Sequence, residues 1–213
     1  HDGGAYGQGL ADVVRDEFTA LGGEVVAYEG ITPGEVDYSA TLSAVAAMKP
    51  EAVYFGGYVA EGVVLTNQMK QSGLADAVFF GCDGTFGAEF IDKTGANGEG
   101  TYAASLVPPV SDAKTAFDEA YQTAYGVPAG SLSPYTWSGY DVAAALIAQV
   151  RSVAVLGGDG NLYVPRGALV SAVRNMKGYQ GLTGDITCDA TGECNTAGPT
   201  FYVVSNGEWV EAK

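Results

Sequence analysis

The chain has 213 residues, which suits one large domain or two small ones. Apolar residues make up 47% of it and charged residues 16%, a balance typical of a globular protein and not of a disordered one. The formal net charge of −15 makes nucleic acid and anionic lipid poor partners, because their phosphate groups would be repelled. The longest apolar stretches, such as 142–148, are too short to span a bilayer, so we expect no direct insertion into a membrane.

Helical and strand-like patterns alternate along the first half of the chain. The predicted helices are 10–21, 38–48, 61–72 and 87–93, and the predicted strands are 24–28, 52–55, 77–80 and 102–107. This alternation predicts an α/β fold with a parallel, doubly wound sheet. Because the pattern opens on a helix, we expect a strand upstream of His1.

The alternation is interrupted at Pro108-Pro109, because two prolines continue neither a strand nor a helix. Beyond this crossover we predict helices over 113–125, 140–153 and 166–176, an irregular stretch over 181–195, and a closing hairpin of strands 201–204 and 208–210. The helix over 140–153 is so apolar that we expect it to be well buried.

Two of the three cysteines, Cys188 and Cys194, lie close together in a stretch rich in Gly, Asp and Thr. A disulfide is the first interpretation, and it would imply an oxidising compartment. A metal site is the alternative, but no histidine is near and Cys82 alone would not complete four ligands. Cys82 follows an apolar run and is predicted to be a buried free thiol.

The residues needed for common catalytic mechanisms are sparse. The single histidine is His1, which leaves a Ser-His-Asp or Cys-His mechanism with little support. Gly7-Gln8-Gly9 resembles the start of a dinucleotide fingerprint but lacks the third glycine, and the acidic residues of 185–193 do not have the spacing of a calcium loop. We therefore predict no enzymatic activity, no cofactor and no metal.

Three polar or aromatic side chains stand near the ends of predicted strands: Tyr6, Tyr58 and Asp83. The carboxyl ends of parallel strands meet at one edge of the sheet, where open α/β sheets bind their ligands. Two phenol rings and a carboxylate could hold an ammonium group by charge and by cation–π attraction. Two alternatives remain open, since Asp83 also fits a turn or helix cap and the stretch 56–58 also fits a plain connecting turn.

Several short motifs follow one another in a recognisable order over nearly the whole chain. They are His1-Asp2 with Tyr6-Gly7-Gln8-Gly9, Gly30-Ile31-Thr32-Pro33-Gly34-Glu35 with Asp37-Tyr38-Ser39, Val53-Tyr54-Phe55-Gly56-Gly57-Tyr58, Tyr135-Thr136-Trp137 with Tyr140, and Gly181-Leu182-Thr183-Gly184. In these motifs the chain resembles the substrate-binding proteins of ABC transporters for branched-chain amino acids, the leucine/isoleucine/valine-binding type. The Cys188–Cys194 pair is not a general feature of that family.

The resemblance implies the type I periplasmic-binding fold, in which three hinge crossings join two lobes. Residues 1–107 with 199–213 would be the second lobe without its first strand, and 108–198 the C-terminal part of the first lobe with hinge crossings. The N-terminal segment of the first lobe would then be a missing partner of this chain, and it would carry the groups that bind the ligand's carboxylate. A signal peptide or a lipid anchor would precede His1.

The resemblance also implies roles for individual residues. Tyr6 and Tyr58 match ligand-contacting tyrosines, Asp83 matches the acidic residue that pairs with the ligand's α-ammonium, and Tyr135 matches an aromatic that lines the side-chain pocket. In the best-known members the acidic residue is a glutamate. The implied function is a periplasmic or extracellular solute-binding protein that captures a small amino acid between its lobes and delivers it to an ABC permease. A ligand-sensing receptor domain of the same fold is the alternative.

Overall fold

A computed structural model describes residues 1–194 and 198–212. The chain divides into two compact units, one of His1–Ser105 with Thr200–Lys213 and the other of Leu106–Pro199. No helix in the described ranges is both long and apolar enough to cross a membrane.

Helices and short strands alternate through the first 105 residues. In chain order they are α1 (Ala5–Ala20), α2 (Ser39–Ala47), β1 (Ala52–Phe55), α3 (Val59–Met69), β2 (Val78–Gly81), α4 (Ala88–Thr94) and β3 (Tyr102–Ser105). Short 3-10 turns follow α3, β2 and α4 at Lys70–Ser72, Asp83–Thr85 and Gly95–Asn97.

Helices dominate the second unit, and the chain then returns to the first unit as a hairpin. The elements are α5 (Asp112–Tyr125), α6 (Thr136–Val153), β4 (Val155–Leu156), β5 (Leu162–Tyr163), α7 (Arg166–Arg174), β6 (Tyr179–Gly181), β7 (Gly184–Ile186), β8 (Thr200–Ser205) and β9 (Glu208–Glu211).

The first unit is organised on a five-stranded sheet with the order β1-β2-β3-β8-β9. Strands β1, β2 and β3 run parallel, and the β8–β9 hairpin joins β3 in antiparallel orientation. The predicted α/β fold is confirmed, and the hairpin predicted at the end of the chain turns the parallel sheet into a mixed one. Because β1 to β3 are parallel, their carboxyl ends lie at one edge.

The core of the first unit lies between the parallel strands and helices α2 and α3. Its buried side chains are Tyr38, Leu42, Phe55, Leu65, Met69, Leu74 and Phe79. A second cluster of Val63, Phe90 and Val204 joins α3 and α4 to the hairpin strand β8. These two clusters hold the carboxyl ends of β1 and β2 in place.

Two predictions for the first unit are wrong in detail. Helix α1 begins at Ala5, five residues ahead of the start of the helix predicted over 10–21. Residues 24–28 form no ladder with any described strand, although Val25, Val26 and Ala27 are apolar and the stretch was predicted to be a strand. A strand needs a neighbour that accepts and donates backbone hydrogen bonds, and composition alone cannot provide it.

Helix α6 is less buried than its composition predicts. Only Trp137, Asp141 and Ala145 are buried, and they form a single stripe at four-residue spacing. Val142 and Ile147 are 68% and 58% exposed. The hairpins β4–β5 and β6–β7 were not predicted, because strands of two or three residues carry too little periodicity to be read.

The predicted disulfide joins Cys188 and Cys194, next to the β6–β7 hairpin. Cys188 is fully buried and packs with Ala145, Met176 and Ile186. Cys82 is a buried free cysteine, as predicted. The disulfide therefore closes a short loop, and its buried Cys188 end packs against Ala145 of α6.

Reduction of this disulfide should lower the free energy of unfolding by about 2 kcal/mol, because it releases the entropy of closing a short loop. Intact mass provides the direct check of the bond. Under denaturing, non-reducing conditions alkylation should modify Cys82 alone, and after reduction it should modify two further thiols. A Cys82→Ser variant is the control and should gain no label before reduction. Three labels without reduction would contradict the bond.

Candidate ligand-binding site

Tyr6 is placed by the start of helix α1, which packs against the end of β1. A side chain at position 7 is excluded, since a Cβ there would lie 2.5 Å from the carbonyl oxygen of Gly56. Glycine at this position allows the two backbones to touch. The helix can therefore begin ahead of Gly7, and Tyr6 in its first turn stands beside the loop that follows β1.

Tyr58 stands at the end of that loop, directly before α3. Its backbone is extended, with φ −115° and ψ 171°, and it occupies the N-terminal cap position of the helix. Tyr58 is 53% exposed, and its ring stacks on the ring of Tyr6, with 5.3 Å between ring centroids and 29° between planes. Two aromatic rings thus share one surface at the carboxyl end of β1.

Asp83 follows β2 and opens a 3-10 turn. The Tyr6 hydroxyl donates a hydrogen bond to Oδ1 of Asp83 and lies 3.5 Å from the Cys82 sulfur. The Cys82 thiol donates in turn to the carbonyl oxygen of Gly57, at 3.1 Å. The loops after β1 and β2 and the first turn of α1 are therefore held together by direct hydrogen bonds.

The electrostatics of this cluster keep Tyr6 protonated. Burial raises the pKa of Tyr6 above its ordinary value of 10, and its hydrogen bonds to Asp83 and Cys82 raise it further. The pKa of Tyr54 is raised as well, first by burial and then by its electrostatic interactions with the nearby Cys82 and Asp83 side chains. Because Tyr6 keeps its hydroxyl proton, it remains the hydrogen-bond donor to Asp83, and this hydrogen bond orients the Asp83 carboxylate.

Of the four site residues predicted from the sequence, the structure brings together Tyr6, Tyr58 and Asp83. Tyr135 belongs to the second unit, where it precedes α6 and is 40% exposed. Its backbone N–H donates to the Ser133 hydroxyl at 3.2 Å, and its carbonyl oxygen accepts from Gly139 at 2.8 Å.

Cys82 is the residue of the site that the sequence reading missed. The sequence predicts Cys82 only as a buried free thiol, and the structure adds that this thiol contacts both the Tyr6 hydroxyl and the Gly57 carbonyl. Its position directly before Asp83 was the available signal, because a strand-end residue shares the environment of its neighbour. The described residues contain no group of three His, Cys, Asp or Glu side chains that could hold a metal ion.

An aromatic pair and an oriented carboxylate on the rim of a parallel sheet are features of a protein that binds small ligands at strand ends. Residues 1–208 match the sequence profile of the periplasmic binding protein family, and the chain belongs to that family. The resemblance to the branched-chain amino acid type is confirmed by similarity to proteins of that type.

Curated relatives cover the chain from end to end. A Leu/Ile/Val-binding protein from Rhizobium johnstonii is 30% identical over 215 residues, which span 100% of this chain and 55% of that protein. A Leu/Ile/Val-binding protein homolog from Brucella melitensis is 29% identical over 218 residues, 100% of this chain and 54% of that protein. The chain therefore spans about half the length of these relatives, which are named for binding.

Solved structures share the fold at lower identity. A leucine binding protein from Thermotoga maritima superposes with a TM-score of 0.84 at 24% identity, over 98% of this chain and 57% of that one. The branched-chain amino acid transporter substrate binding protein from Streptococcus pneumoniae, in complex with isoleucine, has a TM-score of 0.76 at 24% identity with the same coverage. At this identity the likeness shows the fold.

Proposed function

We propose that this chain is part of an extracytoplasmic solute-binding protein that captures a small amino acid, branched-chain or related, and delivers it to an ABC permease. The observation that carries the proposal is the convergence of Tyr6, Tyr58 and Asp83 at the carboxyl ends of β1 and β2. The names of the Rhizobium and Brucella relatives support a branched-chain amino acid as the ligand class.

Each residue has a distinct part in this proposal. Asp83, oriented by the Tyr6 hydroxyl, pairs with the α-ammonium group of the ligand. The exposed ring of Tyr58 covers that ammonium group and adds cation–π attraction. Tyr135 lines the pocket for the ligand's side chain, and groups outside this chain bind its carboxylate.

The lobe assignment and the location belong to the same proposal. Residues 1–107 with 199–213 form the second lobe, and 108–198 form the C-terminal part of the first lobe with its hinge crossings. Membership in the periplasmic binding protein family supports a periplasmic location. The ligand leaves chemically unchanged, since the side chains gathered at the site are suited to hold charge and aromatic contact.

Isothermal titration calorimetry of the full-length protein against free amino acids tests the ligand class. Leucine, isoleucine, valine or a similar small amino acid should release or absorb heat with a 1:1 stoichiometry. The matched control is the corresponding α-keto acid, which keeps the side chain and carboxylate but lacks the ammonium group, and it should not bind. Tight binding of a sugar or a nucleotide with no response to any amino acid would refute the proposal.

A further inference from the structure

The loop after β1 has a conformational freedom that its own residues do not restrict. Gly57 is the second of two consecutive glycines, and glycine has access to backbone conformations that other residues rarely adopt. The peptide between Gly57 and Tyr58 sets the direction in which the Tyr58 side chain leaves the backbone. Contacts with other parts of the chain must therefore fix this peptide before the Tyr58 ring can hold one position.

The Cys82 thiol provides one such contact. Cys82 is 3% exposed, and its S–H donates to the Gly57 carbonyl oxygen at 3.1 Å. Gly57 is buried, and a buried backbone carbonyl that loses its donor costs free energy because water does not replace the hydrogen bond. The thiol therefore holds the Gly57 carbonyl in one direction, and Tyr58, the next residue, is held with it.

Cys82 is itself held firmly by its backbone. Its N–H donates to the Phe55 carbonyl at 3.3 Å, and its carbonyl oxygen accepts from the N–H and the hydroxyl of Thr85, at 3.1 and 2.7 Å. Thr85 is fully buried. The sulfur atom thus extends from a fixed backbone, as a residue that positions others requires.

The space around the Gly57 carbonyl is closely packed. A Cβ at Gly84 would lie 2.4 Å from the Gly57 carbonyl oxygen and 3.3 Å from Cδ1 of Tyr58. Both the carbonyl and the Tyr58 ring therefore lie against the backbone of the turn that Asp83 opens. A change in the direction of this carbonyl would move the Tyr58 ring away from that turn.

The same sulfur contacts the other member of the aromatic pair. The Tyr6 hydroxyl lies 3.5 Å from the Cys82 sulfur, and the Tyr6 ring stacks on that of Tyr58. Because sulfur is a weak acceptor, the Tyr6 hydroxyl keeps its hydrogen bond to Asp83. One thiol therefore contacts Tyr6 directly and Tyr58 through Gly57.

We propose that Cys82 is a positioning residue for ligand binding. Its thiol orients the peptide between Gly57 and Tyr58 so that the Tyr58 ring lies against Tyr6 and beside Asp83. The inference rests on the proposed function, in which Tyr58 covers the ligand's ammonium group. A cysteine that only filled space at the end of β2 would affect stability and leave the Tyr58 ring where it is.

The position of the Tyr58 ring is measured first, by NMR of the full-length protein with ring-labelled tyrosine and without ligand. Tyr58→Phe assigns the Tyr58 signals, which the stacked Tyr6 ring shifts upfield in the unmodified protein. Cys82→Ala should remove most of this shift, and Cys82→Ser, which keeps a hydrogen-bond donor, should retain it. Cys82→Val, which keeps the volume without a strong donor, replaces Cys82→Ala if that variant does not fold. An unchanged Tyr58 shift in the variant without a donor would overturn the proposal.

Calorimetry with L-leucine, L-isoleucine and L-valine measures the consequence for binding. Cys82→Ala should lower the affinity about tenfold, and Cys82→Ser less than about threefold. In a Tyr58→Ala background, Cys82→Ala should cost less than about twofold, because a residue that acts through Tyr58 has nothing left to position. An equal loss of affinity in both backgrounds would contradict the proposal.

Thr94→Ala is the matched control, because it also removes a buried donor to a backbone carbonyl. The Thr94 hydroxyl donates to the Phe90 carbonyl at 2.6 Å at the end of α4, from which the chain leads to the start of β3. This variant should lower the melting temperature and leave the Tyr58 shift and the affinity unchanged. Loss of the Tyr58 shift in Thr94→Ala would show that the shift reports stability alone and would overturn the proposal. If the unmodified protein binds none of the three amino acids, the proposed function fails, whereas the Tyr58 shift still decides whether Cys82 positions Tyr58.

Discussion

Asp83→Asn should weaken amino-acid binding by the full-length protein by roughly 30- to 4,000-fold while the fold is retained. Removing one partner of a partly buried charge pair costs about 2–5 kcal/mol, since the other charge is left desolvated and unpaired, and each 1.4 kcal/mol is about tenfold in affinity. Asparagine keeps the shape of the side chain and an oxygen for the Tyr6 hydroxyl. The Asp83→Asn variant therefore lacks only the negative charge that would pair with the ligand's ammonium group.

Affinity by calorimetry and melting temperature should be measured on the same Asp83→Asn sample. Asp92→Asn is the matched control, because it removes the same charge from an exposed position on α4 and should leave affinity unchanged. Asp83→Glu should have a milder effect, since the charge stays. If Asp83 serves only as a turn or cap residue, stability should fall by about 1 kcal/mol with affinity intact. Unchanged affinity would remove Asp83 from the site.

Asp141→Ala should lower the free energy of unfolding of the second unit by at least about 3 kcal/mol. Asp141 is 1% exposed on α6, and Oδ1 accepts from the Leu182 N–H at 2.8 Å. Oδ2 accepts from both the N–H and the hydroxyl of Thr183, at 2.8 and 2.7 Å. Each buried donor left without a partner costs about 1–3 kcal/mol. The carboxylate therefore holds the β6–β7 turn onto α6.

The effect of Asp141→Ala should be measured by denaturant unfolding, with the fluorescence of Trp137 on the same helix as the probe. Asp141→Asn is the matched comparison, because it keeps the volume and one accepting oxygen, and it should cost about half as much. A loss below about 0.5 kcal/mol for Asp141→Ala would show that water satisfies these donors.

The cluster at the strand ends shows how far sequence reading reaches into the site. Tyr6, Tyr58 and Asp83 were predicted to meet because each adjoins the end of a strand in a parallel sheet, and they lie in contact. Their role toward a ligand stays a prediction. The link through Cys82 and Gly57 was not predictable, because it depends on the distance between two loops.

The sequence by itself determined the α/β class, the parallel order of β1 to β3, the closing hairpin and the Cys188–Cys194 pair. These features follow from hydrophobic periodicity, turn residues and short separation, all of which are local. Tertiary structure alone decided three others: that α1 begins ahead of Gly7, that one stripe of α6 is buried, and that 24–28 forms no ladder. Each of these features depends on which part of the chain packs beside the segment in space. The local sequence cannot predict that neighbour, because it lies far away along the chain.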